Sequence, residues 1–182
     1  YGIVNFKIGL SFIYLCAGSG LYFDPEVDAS LEIYPDYLTF YAGIDGGLEK
    51  NSLRKLSYEN PWILTDIDTR WKNNKFIGFA GFRGNIGQKV AYNLEAGWTK
   101  FANEFFYMNV ITQPTPSLTP DGPINKFNVV YDDGSIVNLK GEITYTVHAK
   151  LKTWLAANYN MYNLNSLNKP YHKPIIDTKL GV

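Results

Sequence analysis

A single cysteine, Cys16, among 182 residues excludes both an intrachain disulfide and a thiolate metal cluster. Its setting, "SFIYLCAG", reads as a strand end rather than a lipid-attachment site, because bulky Leu15 precedes it and no basic run leads into the apolar stretch. Charge of one sign is also missing: 17 Lys and Arg balance 17 Asp and Glu, which leaves no general electrostatic footprint for nucleic acid. No run approaches the roughly 20 apolar residues of a spanning helix, so any membrane role falls to strands. The two histidines, His148 and His172, have no second His or Cys at ligand spacing, and no metal is expected. "GFAGFRGNIG" (78–87) alternates like a strand and does not form a phosphate loop, and "YDDGS" (131–135) reads as a hairpin turn rather than a calcium loop. No cofactor is expected.

Aromatics and glycine are plentiful: 14 Tyr, 11 Phe, 4 Trp and 16 Gly. Aromatic residues favour strands, and glycines suit turns, bulges and bends. Alternation then sets the reading. In "YLTFYAGIDGGLEK" (37–50), Leu38, Phe40, Ala42 and Ile44 fall on one face, with Thr39, Tyr41, Gly43 and Asp45 on the other. Similar patterns predict eleven strands, at 4–14, 26–33, 37–49, 63–71, 76–84, 89–100, 104–112, 126–132, 135–147, 151–162 and from 175 onward. Short turns are expected at 34–37, 72–75, 87–89, 102–104, 132–134 and 148–150, and longer links at 16–24, 50–61, 113–125 and 163–173. Within the second long link, 51–60 is expected to form one or two helical turns capped by Asn51 or Ser52 and stopped by Pro61. The fold class expected is all-β, an antiparallel up-and-down meander, with a transmembrane β-barrel or part of one as the expected form. Residues 1–182 make a single barrel region. The chain opens at "YGIVNF" and closes at "DTKLGV", both strand-like, and a piece of a longer protein is expected.

Period two does not say which face is wet. A soluble β-sandwich or small barrel buries its apolar face; a membrane barrel turns that face to lipid. Three features favour lipid: segments of 12 or 13 residues, aromatics near segment ends such as Tyr14, Tyr34, Trp71, Trp98 and Tyr145, and small residues on the polar face. Long links gather at one end and short turns at the other, except that the fourth long link breaks the parity.

The stretches "PEV" (25–27), "YAGIDGGLEKNSL" (41–53), "ENPWI" (59–63), "NKFNVVYDDGSIVNLKGEI" (125–143) and "HKP" (172–174) follow one another in an order that resembles Bacteroidetes outer-membrane proteins of the TonB-dependent-receptor or porin-like kind. The resemblance implies a β-barrel in the outer membrane of a Gram-negative bacterium, surrounded by outer-membrane lipid and helping a small solute or glycan across it, with an energy-coupling periplasmic protein as a partner. No plug domain and no energy-coupling box occur in the chain, so an internal or C-terminal-half part of the barrel is implied, with active and passive transport both open.

The candidates for lining a lumen are Glu26, Asp28, Asp45, Glu49, Asp66, Asp68, Arg70, Glu95, Lys140 and Glu142, whose charges would set selectivity or hydrogen-bond a polar solute. Mutual pairing across strands is the plainer role for each. Asp66 and Asp68 stand two residues apart, as alternating acids on any strand do, and catalysis is not expected. In the long links, Tyr58, Trp62 and Tyr171 are candidates for ligand contact by stacking on a sugar face. The rival from another class is a soluble β-sandwich or small barrel binding carbohydrate through these rings, and a further alternative is an adhesive protein whose barrel only anchors its loops.

Overall fold

A computed structural model describes residues 3–15, 20–110, 126–148 and 151–182; Cys16 and the proline-rich stretch 113–125 lie outside them. The described residues form eight strands and one helix: β1 (Val4–Leu15), β2 (Gly20–Tyr34), β3 (Leu38–Lys50), α1 (Leu53–Glu59), β4 (Trp71–Ile86), β5 (Val90–Asn109), β6 (Phe127–His148), β7 (Leu151–Leu164) and β8 (Ile176–Gly181). Each strand pairs antiparallel with the next in one sheet, in the order β1 to β8. β1 and β8 do not pair with each other, so the meander is open at both edges.

Eight strands replace the expected eleven for three physical reasons. Residues 102–104 and 132–134 are not turns: β5 and β6 run straight through them, and the mismatch is absorbed by a bulge between Phe101 and Glu104, where Asn103 takes φ 56°. Residues 72–75 likewise belong to β4, with a register shift between Asn74 and Phe76. Residues 63–70 alternate but form no strand beyond one bridge, Ile63 to Phe127, and only Trp71 of the expected 63–71 strand is extended, as the first residue of β4. At 16–24, β2 already begins at Gly20.

These corrections restore the end-to-end asymmetry. The strand ends Leu15 and Gly20, Lys50 and Trp71, Asn109 and Phe127, and Leu164 and Ile176 lie at one end of the sheet, with the wider gaps in sequence, and Tyr34 and Leu38, Ile86 and Val90, and His148 and Leu151 lie at the other. With β5 and β6 each one continuous strand, the gap before β8 falls at the same end as the other wide ones.

Register carries one apolar face unbroken across the sheet. Phe6 stands beside Ala29, Ala29 beside Ala42, Ala42 beside Ala80, Ala80 beside Ala96, Ala96 beside Leu139 and Leu139 beside Tyr159. Most of its large side chains are exposed, as with Ile8 at 64 %, Leu94 at 55 % and Leu155 at 49 %. The apolar row of β1 runs from Val4 to Tyr14 and that of β7 from Leu151 to Met161. Ten residue steps span about 33 Å along a strand. At a tilt of 35–45° that is a band of about 25 Å, the height of the apolar belt of outer-membrane barrels.

The buried core lies elsewhere, beyond the band at the long-link end. There β5 and β6 continue as a two-stranded ribbon, on which Leu56 of α1 and Ile63 pack against Phe105, Tyr107 and Val129. Ser52 caps α1 by accepting from the Lys55 N–H at 3.3 Å, and Asn60 closes it by donating to the Leu56 carbonyl at 2.9 Å. The expected short helix is therefore present, two turns long. Tyr107 Oη donates to the Leu56 carbonyl at 3.2 Å, and Tyr131 Oη donates to the Asp68 carbonyl at 3.0 Å.

Candidate functional site

The second face of the sheet is polar, and period two places its charges there. Lys7 on β1, Glu26 and Asp28 on β2, Asp45 on β3, Arg83 on β4, Glu95 on β5, and Lys140 and Glu142 on β6 all alternate away from the apolar rows. At the centre, Tyr41 reaches from β3 across β4 to β5. Its Oη donates toward Asn93 Oδ1 at 2.7 Å and lies 3.1 Å from Glu95 Oε2, while Lys140 Nζ donates to Glu95 Oε1 at 2.8 Å.

Glycine makes that crossing possible. A Cβ on Gly81 would stand 2.6 Å from the Tyr41 ring and 2.5 Å from the Leu94 carbonyl. Arg83 lies over the same ring at 5.4 Å, and Lys7 pairs with Glu26.

Two open grooves run along this face. One, of 420 Å³, is lined by Lys7, Asp28, Ser30, Tyr41, Phe79 and Arg83. The other, of 430 Å³, is lined by Glu32, Asp36, Arg83, Asn93, Glu142 and Thr144. Both grooves carry donors and acceptors, a lining suited to hydroxyl- or amide-bearing solutes. Among the described residues no group of three or more His, Cys, Asp or Glu side chains could hold a metal, and no helix is long and apolar enough to cross a membrane.

The structure thus brings Glu26, Asp28, Asp45, Glu95, Lys140 and Glu142 onto one face and separates the other sequence candidates from them. Asp66, Asp68 and Arg70 belong to the 51–70 link rather than a strand, because Ile63 and Ile67 turn that segment onto the β5–β6 ribbon. There Arg70 Nε donates to Asp68 Oδ2 at 2.9 Å, and its guanidinium lies over the Tyr131 ring. Glu49 stands at the end of β3, where pairing with Lys55 draws its carboxyl below the ordinary value against the effect of burial. Tyr58 is 93 % exposed on α1 and Trp62 is 67 % exposed just after it, whereas Tyr171 is half-buried.

Sequence reasoning missed Tyr41, Arg83 and Asn93 as members of the polar network. Their signal was position alone: each alternates onto the face of the named carboxylates. It also missed the anchor of the last long link. Asp132 Oδ2 accepts from the Ser166 and Leu167 N–H groups at 2.9 and 2.8 Å, and its Oδ1 from the Asp133 N–H at 2.9 Å. Burial raises the carboxyl's value, but these bonds outweigh it and hold the group below the ordinary range.

Fold and face together define an antiparallel meander with one bare apolar side and one hydrogen-bonded polar side. No protein-family model, no curated protein and no solved structure gives a significant match to the chain.

Proposed function

We propose that this sheet is part of a transmembrane β-barrel in the outer membrane of a Gram-negative bacterium, belonging to a TonB-dependent-receptor-like protein that moves a polar solute. One observation carries the membrane reading. Along a single face of β6, Phe127, Val129 and Tyr131 are covered by α1 and the 51–70 link, while Leu139, Ile143 and Tyr145 further along that face are 47, 52 and 43 % exposed. Protein covers the apolar face where the strands leave the band and leaves it bare within the band. That is the distribution expected when lipid covers the rest.

The distribution of charge supports the same reading. Within the band the apolar face carries no Asp, Glu, Arg or Lys, and Lys100 sits on it only at the long-link end. The short and long links segregate as they do in outer-membrane barrels. Hydrocarbon tolerates no unpaired strand edge, so further strands closing the edges of β1 and β8 complete the barrel. The polar face then lines the lumen, where Tyr41, Glu95 and Lys140 form its central strip. The receptor-like assignment, solute uptake and coupling to a periplasmic energy source rest on the sequence resemblance.

The test is solute flux through the full-length protein in phosphatidylcholine vesicles. Osmotic swelling in oligosaccharide solutions is expected to depend on the protein and to change when Glu95 becomes Lys. Vesicles that remain impermeable to every solute tried, with the protein folded in them, would contradict transport and leave a barrel that anchors its loops.

A further inference from the structure

Where the apolar band ends at the long-link side, its next row changes chemistry abruptly. Trp98 stands beside Val137 and Val137 beside Met161; one row further out, Lys100 stands beside Ser135 and Ser135 beside Asn163. On β4 the partner of Lys100 is Phe76, and Lys75, the residue left over in the register shift between Asn74 and Phe76, lines the same groove as Lys100. Lys75, Trp98, Lys100, Ser135, Asn163 and Asn165 line a groove of 220 Å³. Lys75, Lys100, Asn163 and Asn165 are exposed, and Trp98 is 43 % exposed. Neither ammonium is in an ion pair among the described residues. The groove's one carboxylate, Asp133, accepts the Asn103 N–H at 2.9 Å.

Resting on the membrane reading above, we infer that this groove binds the phosphate of an anionic lipid headgroup, one with no cationic group of its own, in the leaflet at the long-link end. The geometry commits to a lipid source. A tryptophan at the edge of the hydrocarbon band marks headgroup depth, and Lys100 sits on the face turned to lipid, one register row beyond it, with Lys75 in the same groove. Lysine stems can lie along the apolar row while their ammonium groups reach a phosphate, and the Ser135 hydroxyl and the two asparagine amides supply further donors. A soluble anion in the lumen would meet the opposite face of the sheet.

The experiment uses the full-length protein in phosphatidylcholine vesicles with trace spin-labelled phosphatidic acid or spin-labelled phosphatidylcholine. Electron paramagnetic resonance reads the motionally restricted lipid at the protein surface. A preference for phosphatidic acid is expected, falling by roughly fivefold for Lys100→Gln and by a similar factor for Lys75→Gln. Lys100→Arg should retain it, and Lys89→Gln at the opposite end should leave it unchanged. Equal restriction of both lipids, or equal loss with Lys89→Gln, would overturn the inference while leaving the membrane reading intact. Loss of the preference in millimolar inorganic phosphate would also overturn it, since the site would then be one for free anions. If neither lipid shows a restricted component, the membrane reading itself fails.

Discussion

Leu155 and Ala156 are neighbours on β7 that face opposite ways, and an arginine at each separates lipid from lumen within one residue. Leu155 lies near the middle of the apolar row from Leu151 to Met161, is 49 % exposed, and stands between Ile143 and Leu180. Ala156 stands between Glu142 and Lys179 on the polar face. An arginine on the lipid face of a barrel costs about 2–4 kcal/mol at the bilayer midplane and about 0–1 kcal/mol near the interfaces. Leu155→Arg is therefore expected to lower the ratio of folded to unfolded protein by about 30- to 700-fold. Leu151→Arg, at the end of the same row, should cost no more than about 1 kcal/mol. Ala156→Arg gains a carboxylate neighbour beside an ammonium one in a wet setting and should stay within about 1 kcal/mol of the parent. The assay is urea-driven unfolding of the full-length protein from phosphatidylcholine vesicles, followed by tryptophan fluorescence. A cost at Ala156 equal to that at Leu155, or no difference between Leu151 and Leu155, would refute the assignment of the faces.

Other outcomes follow from the cap and the polar network. Leu56→Ala should cost about 2–5 kcal/mol of cap stability, because Leu56 has no exposure, and hydrogen exchange should rise in α1 while the band of β6 stays protected. Gly81→Ala should cost about 1–3 kcal/mol, since its Cβ would meet the Tyr41 ring and the Leu94 carbonyl; denaturant unfolding reads the loss, and an unchanged midpoint would contradict the packing described. Asp132→Asn should weaken the hold on Ser166 and Leu167 by about 1–3 kcal/mol at neutral pH, read as faster exchange of those two amides. Because the Asp132 carboxyl is lowered in the folded state, its contribution is complete above the ordinary carboxylate value of about 4 and is lost as the pH falls through the folded value. Acid should therefore speed exchange at Ser166 and Leu167 in the parent, after correction for intrinsic rates, and should have no such effect in Asp132→Asn.

The faces of this sheet were legible in the sequence because period two survives wherever strands are unbroken. Leu38, Phe40, Ala42 and Ile44 stand where their alternation put them, and so do Glu26, Asp28, Glu95 and Lys140. The strand count was harder to read, because residues that make turns also make bulges. Asn103 at φ 56° and the Asp-Asp-Gly of 132–134 have turn chemistry, yet the first is a bulge inside β5 and the second lies within β6, both strands being carried through by partners remote in sequence. Gly134 lies against the Asn163 carbonyl of β7, and Asp132 is committed to amides 34 and 35 residues away, contacts that no local pattern reveals. Residues 63–71 misled for the opposite reason. Ile63 and Ile67 are apolar because they cover the β5–β6 ribbon, and Asp66 and Asp68 are polar because they face water.

Phe40 and Asp45, on opposite faces of β3, give the most direct test of the membrane claim. Nitroxide labels at each position in the full-length protein, reconstituted in phosphatidylcholine vesicles, report collision with oxygen dissolved in lipid and with a water-soluble nickel complex. The account predicts high oxygen and low nickel accessibility at Phe40, with the reverse at Asp45. A Phe40 label reached by neither probe would mean that protein covers the apolar face, contradicting the transmembrane reading in favour of a soluble sandwich.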